Sequence, residues 1–229
     1  MSAQPRATAL VVGGFGALGT SIGDELSRLG WCVLRASRTP RLDDPSALVL
    51  DTDAVARLPE LAAVVWAQGT NVNDSVYDHD KGELSRVFEV NVGMVAEQLA
   101  TLLRSGRIVD GARLVVVSSI WEQVARPGKF SYTLSKAALG GLVRAAALDL
   151  APRHILVNAV LPGVVDTPMT RGVLSDDQVA AFEKATGWGR LVRLADVASL
   201  VAYLASERNT GVTGQSIAVD LGFSVGRQL

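Results

Sequence analysis

The sequence predicts an α/β protein built on a doubly wound parallel β-sheet with helices on both faces. Short, almost unbroken apolar runs alternate with longer helical patterns along the whole chain, as expected for parallel strands covered on both sides. The chain has 229 residues, of which 48% are hydrophobic, and this is enough for one large core. No repeat, linker or composition shift divides residues 1–229, which we expect to form a single domain.

Each element follows from the spacing of its apolar residues. Runs of Val, Ile, Leu and Ala bounded by glycine or polar residues indicate strands, whereas apolar positions three and four residues apart indicate helices. The predicted strands are residues 9–12, 31–36, 48–50, 63–66, 114–117, 155–160 and 216–219. The predicted helices are residues 17–29, 84–103, 130–150 and 196–204.

Composition narrows the possible functions. A net charge of −1, from 22 basic and 23 acidic residues, gives no general attraction for nucleic acid or an anionic membrane. The N-terminus is polar, and no apolar run is long enough to span a bilayer, so we expect a cytoplasmic protein. The lone Cys32 excludes an internal disulfide and is expected to be a small core residue. We expect His79 to be solvated, His154 to cap a turn, and no metal site, because there is no Cys/His cluster.

A glycine-rich turn connects the first predicted strand to the first predicted helix. Glycine lets the chain turn tightly and lets its N–H groups approach a pyrophosphate, which also gains from the positive end of the helix. The turn therefore predicts dinucleotide binding in a Rossmann fold. Its expected cofactor contacts are Gly13, Phe15, Gly16, Ala17, Leu18 and Gly19.

The second strand ends in Ser37 and Arg38, without a carboxylate to accept a hydrogen bond from the ribose 2′-OH of NAD. A hydroxyl and a guanidinium suit a 2′-phosphate, so the sequence favours NADP(H) over NAD(H). Asp51 follows the third strand and has two open interpretations. It accepts a hydrogen bond from the adenine amino group, or it caps a loop.

Tyr132 and Lys136 lie four residues apart in a predicted helix and therefore on one face. An ammonium group beside a phenol favours the phenolate, so we expect a lowered pKa for Tyr132 and proton exchange with a substrate oxygen. Ser119 lies thirteen residues upstream, at the end of a strand. We favour Ser119 over Ser118 because strand alternation sends the two side chains to opposite faces.

This order of glycines, Ser119, Tyr132 and Lys136 resembles the short-chain dehydrogenase/reductase family, and the resemblance runs essentially end to end. Asn91 matches the family's helix asparagine, and residues 157–168 resemble its sixth strand and following turn. The resemblance is to members similar to 3-oxoacyl-carrier-protein reductase. It implies a single-domain Rossmann fold and an NADP(H)-dependent oxidoreductase for carbonyls and secondary alcohols.

The resemblance also implies roles for individual residues. Tyr132 is the general acid/base, Ser119 stabilises the alkoxide, and Lys136 lowers the pKa of the tyrosine and binds the nicotinamide ribose. The main chain of Asn91 positions a water that relays protons to Lys136. The backbone of Val165 and the hydroxyl of Thr167 hold the carboxamide, and the remaining expected cofactor contacts are Asp51, Thr52, Ala67, Gln68, Gly69, Pro162 and Gly163.

The chain departs from the family pattern at four places. The glycine turn has Gly16 followed by Ala17, so its spacing also resembles that of the family's extended members. Val12 replaces a common threonine, and residues 66–69 read Trp-Ala-Gln-Gly instead of Asn-Asn-Ala-Gly. Glu122 stands where a small glycine is usual, which predicts a more polar or crowded pocket rim.

The segment 167–190 is expected to form a mobile lid over an apolar substrate pocket. Two or three of its apolar residues and their neighbours are expected to touch a ketone or 3-oxoacyl group, and the candidates are Met169, Val173, Leu174, Phe182, Trp188, Trp121 and Phe130. Arg126 and Lys129 near the rim could attract a carboxylate or an acidic carrier protein. The apolar helices 84–103 and 130–150 suggest a homotetramer or dimer.

Two other functions remain open from the sequence. The first is an epimerase or dehydratase that uses transient oxidation, which only the Gly16 spacing suggests. The second is a non-catalytic NADP-binding regulator, which the intact set of Ser119, Tyr132, Lys136 and Asn91 disfavours.

Overall fold

The computed structural model describes residues 7–38 and 47–226. Seven strands form one sheet in the order β3-β2-β1-β4-β5-β6-β7, and every neighbouring pair is parallel. The strands are β1 (Thr8–Val12), β2 (Cys32–Ala36), β3 (Ala47–Leu48), β4 (Leu61–Trp66), β5 (Ile108–Val117), β6 (Leu156–Pro162) and β7 (Ser216–Val219). The predicted doubly wound Rossmann fold is confirmed.

Helices cover both faces of the sheet. They are α1 (Ala17–Arg28), α2 (Thr52–Arg57), α3 (Lys81–Phe88), α4 (Met94–Arg104), α5 (Phe130–Asp149), α6 (Pro168–Val173), α7 (Asp176–Ala185) and α8 (Leu194–Leu204). No helix in the described part of the chain is long and apolar enough to cross a bilayer.

Strand alternation divides the core into two layers. On β4, Val64 and Trp66 face the layer that α4 and α5 cover, whereas Ala63 and Val65 face the layer beneath α1 and α8. Both sets of side chains are almost completely buried. Apolar residues at consecutive positions of the central strands therefore reflect burial on both faces.

The structure corrects the predicted elements in six places. The expected helix 84–103 is interrupted by a π-helical turn, Glu89–Gly93, between α3 and α4. Helices α2, α6 and α7 were not predicted, because six to ten residues give little periodicity. Strand β3 is only Ala47–Leu48, and β5 begins at Ile108 rather than Leu114.

Two further expectations concern single side chains. Cys32 is exposed, so the prediction that it belongs to the core is wrong. It is the first residue of β2, whose burial increases only towards Ala36. His154 ends a 3₁₀ turn in the left-handed conformation, as expected for a turn residue, and His79 is exposed with its ring 5.0 Å from that of Phe130.

Candidate active site

The residues with predicted chemistry meet at the carboxyl ends of β1, β4, β5 and β6, where ligands bind in open parallel sheets. Helix α5 enters this edge and carries Tyr132 and Lys136 one turn apart. The ammonium Nζ of Lys136 lies 5.6 Å from the centre of the Tyr132 ring. Tyr132 is partly buried, and Ser119 is close enough to its hydroxyl to influence its pKa.

The expectation that the pKa of Tyr132 is lowered is wrong. Burial raises the pKa of Tyr132 above its ordinary value, and Ser119 opposes that change only in part. The charged form of a phenol is disfavoured when water is removed from around it. At neutral pH, Tyr132 therefore keeps its proton.

Lys136 is buried, with 3% of its surface exposed. Its Nζ donates to the carbonyl of Val117 at 3.4 Å, at the end of β5. Burial lowers the pKa of Lys136 to about 8, while the negative charge of Glu122 acts in the opposite direction. The cationic fraction of Lys136 therefore changes within the pH range in which enzymes are assayed.

Ser119 and Ser118 differ as the strand geometry predicts. Ser119 begins a 3₁₀ turn (Ile120–Glu122), and its Oγ accepts from the N–H of Trp121 at 3.3 Å. Ser118 donates its N–H to Val160, but its buried hydroxyl has no partner within 7–38 and 47–226. Of these two serines, Ser119 is the one that influences the pKa of Tyr132.

Asn91 lies inside the π-helical turn and is 1% exposed. Its Oδ1 accepts from the N–H of Thr70 at 2.8 Å, and its Nδ2 donates to the carbonyl of Thr70 at 3.0 Å and to Ser135 Oγ at 2.9 Å. Ser135 in turn donates to the carbonyl of Tyr132 at 2.8 Å. The buried amide thus connects the loop after β4 to the helix that carries Tyr132.

A polar cluster that the sequence did not reveal fixes the start of α5. Lys129 Nζ donates to Asn71 Oδ1 at 2.9 Å and to Asn73 Oδ1 at 2.5 Å, and it lies 5.7 Å from the Tyr132 ring centre. Asp74 accepts from the N–H and the hydroxyl of Ser131. These contacts join positions more than fifty residues apart, which explains why local pattern analysis did not find them.

Lys129 and Lys136 are therefore both close to the same aromatic ring. Burial lowers the pKa of Lys129 to about 8, and the nearby charge of Arg126 contributes in the same direction. The sequence predicted a single cation beside Tyr132, whereas the structure provides two.

The glycine turn is closely packed. Gly13 has φ +74°, and a Cβ there would lie 2.7 Å from the backbone nitrogen of Gln68. A Cβ at Gly19 would collide with the carbonyl oxygen of Gly13, so both positions require glycine. Phe15 and Leu18 are half-buried, and Gly16 and Ala17 are exposed at the start of α1.

The start of α1 fits an anionic cofactor group. No side chain caps this end of α1, and its first turn contains no acidic residue. The N–H groups at a helix start attract phosphate, and the small residues Gly16 and Ala17 leave that end open to solvent. The residues present therefore fit a dinucleotide pyrophosphate.

Arg35 supports the glycine turn, a role that the sequence analysis missed. It projects from β2, and its guanidinium donates to the carbonyl of Gly14 at 3.1 Å and pairs with Asp24 at 2.6 Å. A single arginine in an otherwise apolar strand was the available signal.

The residues expected at the adenosine end follow β2 and β3. Ser37 donates its N–H to the carbonyl of Leu48, and Arg38 is exposed. Asp51 caps α2 by accepting from the N–H of Ala54 at 2.7 Å, which agrees with the capping interpretation. Thr52 is the first residue of α2.

The segment after β4 borders the glycine turn and the candidate catalytic groups. Ala67 donates to the carbonyl of Val12, and Gln68 Nε2 donates to Gln98 at 3.1 Å. Gln68 Oε1 is buried without a partner in the described part of the chain. A Cβ at Gly69 would lie 3.5 Å from both Asn91 Oδ1 and Lys136 Nζ.

The expected nicotinamide contacts follow β6. A Cβ at Gly163 would lie 3.0 Å from the backbone of Asp220, so the chain after Pro162 passes close to β7. Thr167 caps α6 through Thr170, whose hydroxyl donates to the carbonyl of Val165 at 2.7 Å. Among the described residues, the N–H of Val165 has no acceptor, which suits a carboxamide oxygen.

Residues 167–190 lie between two chain segments that meet in one β-bridge. Val165 and Val192 form an isolated parallel bridge, in which Val192 donates to Val164 and Asp166 donates to Val192. Helices α6 and α7 lie between these two ends. Of the lid residues predicted to be apolar contacts, Val173 and Trp188 are exposed, by 68% and 71%.

Glu122 is accommodated by neighbours on two elements. Its Oε1 accepts from Ser216 Oγ at 2.5 Å on β7, and Gly140 on α5 leaves the space that the carboxylate occupies. Its Oε2 is buried and has no partner in the ranges described. Gly140 on the facing helix thus relieves the crowding that was predicted at Glu122.

Comparison with known proteins agrees with this geometry. A protein-family model described as enoyl-(acyl carrier protein) reductase matches residues 46–224. A cyclopentanol dehydrogenase of Comamonas sp. is 35% identical over 74% of this chain and 68% of its own. A cis-4-hydroxycyclohexanecarboxylate dehydrogenase of Sinomonas cyclohexanicum is 33% identical over 82% of this chain and 75% of its own.

Solved structures share the whole fold. A short-chain dehydrogenase/reductase from Serratia marcescens BCRC 10948 superposes with a TM-score of 0.85 at 26% identity, over 96% of this chain and 98% of that one. The chain therefore belongs to the short-chain dehydrogenase/reductase family and is a nicotinamide-dependent oxidoreductase that acts on alcohol and carbonyl groups.

Proposed function

We propose that this protein is an NADP(H)-dependent carbonyl reductase in which Tyr132 is the general acid and base. The buried Lys136, 5.6 Å from the ring centre of Tyr132 and on the same side of the sheet edge as Ser119, is the observation that carries the proposal. A phenol that retains its proton at neutral pH is suited to donate it, which favours the reductive direction.

Tyr132 and Ser119 both contact one substrate oxygen. Tyr132 donates its proton to the developing alkoxide, and Ser119 donates a hydrogen bond to the same oxygen as charge forms on it. Lys136 stabilises the resulting phenolate and binds the nicotinamide ribose. When bound, the reduced nicotinamide supplies the hydride.

Asn91 completes the proton path by holding a water with its main chain, from which Lys136 returns a proton to Tyr132. The π-helical turn at Glu89–Gly93 supports this role, because it interrupts the regular hydrogen-bond pattern of the helix at Asn91. The side chain of Asn91 is committed to Thr70 and Ser135 and therefore fixes the position of its own backbone.

The cofactor lies across the carboxyl ends of the strands. The pyrophosphate binds the start of α1 at Gly13–Gly19, and the carboxamide binds the N–H of Val165 and the hydroxyl of Thr167. Ser37 and Arg38 bind the 2′-phosphate, which supports NADP(H) over NAD(H) because no carboxylate stands at that point. Further contacts come from Thr52, Ala67, Gln68, Gly69, Pro162 and Gly163.

The substrate is a compact apolar ketone or secondary alcohol, and residues 167–190 form the lid over it. The two relatives named for cyclopentanol and a hydroxycyclohexane acid support a cyclic substrate. We further propose a cytoplasmic homo-oligomer, a tetramer or dimer. Leu134 and Leu148 on α5 are 40% and 78% exposed, which supports self-association through that helix.

Loss of NADPH absorbance in the presence of cyclopentanone, cyclohexanone and a 3-oxoacyl thioester tests the activity. We expect turnover with at least one of these carbonyls and faster turnover with NADPH than with NADH. A protein that binds NADPH but oxidises it with none of them would instead be the non-catalytic regulator. Isomerisation of a substrate without net consumption of NADPH would identify an epimerase or dehydratase.

A further inference from the structure

A cavity of about 840 Å³ lies beside the candidate catalytic groups, between α7, the segment after Ser119 and the chain after β7. Its aromatic walls are Trp121, Phe182 and Phe223, and the ring centres of Trp121 and Phe182 lie 6.1 and 6.0 Å from that of Phe223. Trp121 also donates its N–H to Ser119 Oγ. The cavity and the candidate catalytic groups therefore share the segment that begins at Ser119.

One charged side chain stands in this apolar cavity without a counterion. The guanidinium of Arg126 lies 5.8 Å from the ring centre of Trp121 and 5.5 Å from that of Phe182. Its Nε is buried with no hydrogen-bond acceptor, and it forms no ion pair in the described part of the chain. A guanidinium at an apolar cavity, with no ion-pair partner in the described part of the chain, is available to an anion that enters the cavity.

The remaining cavity lining is also free of negative charge. Among the described residues it includes a second cation, Lys184, and no Asp or Glu side chain. A guanidinium presents its N–H groups in one plane, and this geometry matches the two oxygens of a carboxylate.

Arg126 and Tyr132 stand at different places around this cavity. Lys129 lies 5.7 Å from the Tyr132 ring centre, and its two amide acceptors, Asn71 and Asn73, are already in place. Arg126 is close enough to Lys129 to influence its protonation, but its Nε has no acceptor among the described residues. Arg126 lines the cavity whereas Tyr132 does not, so an anion at Arg126 is a different group from the carbonyl that Tyr132 protonates.

We propose that the substrate is a compact apolar oxo acid or hydroxy acid whose carboxylate binds Arg126, several bonds from the carbon that exchanges hydride. This inference rests on the proposed reductase function and adds the chemical class of its substrate. The aromatic walls bind the hydrocarbon part, and Arg126 selects the acid over its uncharged analogue.

A matched pair of substrates tests the assignment. We expect 4-oxocyclohexanecarboxylate to be reduced with a higher kcat/KM than its methyl ester. Arg126→Met should lower kcat/KM for the acid by about 10- to 100-fold, as for the loss of charge-assisted hydrogen bonds, and change the value for the ester by less than about threefold. Lys184→Met, which removes the other cation of the cavity, should leave the ratio for the two substrates nearly unchanged.

Binding of an unreactive probe tests the anion site at Arg126 independently of catalysis. By calorimetry, cyclohexanecarboxylate should bind the wild-type protein more tightly than cyclohexanecarboxamide, and Arg126→Met should abolish this difference. If the protein gives this binding result but has no reductase activity, the anion site is supported and the proposed function is overturned. Equal binding of acid and amide by the wild type, or an equal loss in Lys184→Met, would overturn the assignment to Arg126.

Discussion

The carboxylate of Glu122 lies directly against the backbone of Gly140, where a Cβ would approach its Oε1 to 2.5 Å. Gly140 is four residues after Lys136 on α5 and therefore on the same helix face. The absence of a side chain at Gly140 thus lets a negative charge stand one helical turn from the buried lysine of the candidate site. Two of our predictions test this arrangement.

The first prediction concerns the space at Gly140. Gly140→Ala should lower the free energy of unfolding by about 1–3 kcal/mol, because an inserted methyl group in a packed site forces its neighbours to move. Gly141 is the control on the same helix, since a Cβ there meets nothing within 4 Å. Gly141→Ala should stabilise the protein by up to about 1 kcal/mol.

Urea denaturation measures both changes, and a second substitution identifies the cause. Glu122→Ala should remove most of the loss caused by Gly140→Ala, because the clashing carboxylate is gone. Equal effects of alanine at Gly140 and Gly141 would contradict the contact.

The second prediction concerns the protonation of Lys136. Glu122→Gln removes the negative charge that stabilises the ammonium, so the pKa of Lys136 should fall below its value of about 8. The other groups near Lys136 are the phenol of Tyr132 and, beside Gly69, the neutral amide of Asn91. The chain has four lysines, so NMR of ¹³C-labelled lysine resolves this titration.

The pH dependence of turnover should follow the same shift. Cationic Lys136 is lost as the pH rises through its pKa, so the fall of kcat/KM at high pH should begin at a lower pH in Glu122→Gln. Ser216→Ala removes the hydrogen bond to Glu122 but keeps the carboxylate, and it should leave the Lys136 pKa in place. An unchanged titration in Glu122→Gln would exclude Glu122 as the counter-charge.

The third prediction tests the acid. Tyr132→Phe should reduce turnover by about 10²- to 10⁴-fold, the range for loss of a general acid, while NADPH binding changes little. Tyr77→Phe is a suitable control, because Tyr77 is 96% exposed. Initial rates and calorimetric NADPH titrations provide the two readouts. Turnover within twofold of wild type in Tyr132→Phe would remove Tyr132 from the mechanism.

The fourth prediction tests the choice of cofactor. Replacing Ser37 with Asp and Arg38 with Leu should change the ratio of kcat/KM for NADPH over NADH by about 10- to 100-fold in favour of NADH. The reason is that charge-assisted hydrogen bonds to the 2′-phosphate are lost and a carboxylate that accepts from the ribose is gained. Steady-state kinetics with both cofactors measure the ratio. The same ratio in the variant and the wild type would refute the 2′-phosphate assignment.

The sequence predicted the sheet well because each central strand is a short apolar run. Such a run is typical of a parallel strand that is buried on both faces. Strand β7 was predicted with the bounds that the structure gives, Ser216–Val219. The clusters at the strand ends were also found, because parallel strands bring their carboxyl ends to one edge.

Most of the failures have their physical origin in contacts between distant positions. The cluster of Lys129 with Asn71 and Asn73, and the support that Arg35 gives to Gly14, depend on packing that no local pattern records. The pKa of Tyr132 was predicted from one neighbour on its own helix, whereas burial by the surrounding fold controls its direction. The π-helical turn was missed because the apolar pattern of residues 84–103 predicts one uninterrupted helix.

That turn makes the candidate site depend on chain length as well as on side-chain identity. A π-helical turn holds one more residue than an α-helical turn, so deleting one residue from Glu89–Gly93 would restore a regular helix and leave Leu99 and Leu102 of α4 in the core. The deletion would instead return the backbone of Asn91 to the regular hydrogen-bond pattern. Shortening this stretch by one residue should therefore impair the candidate site more than it impairs the fold.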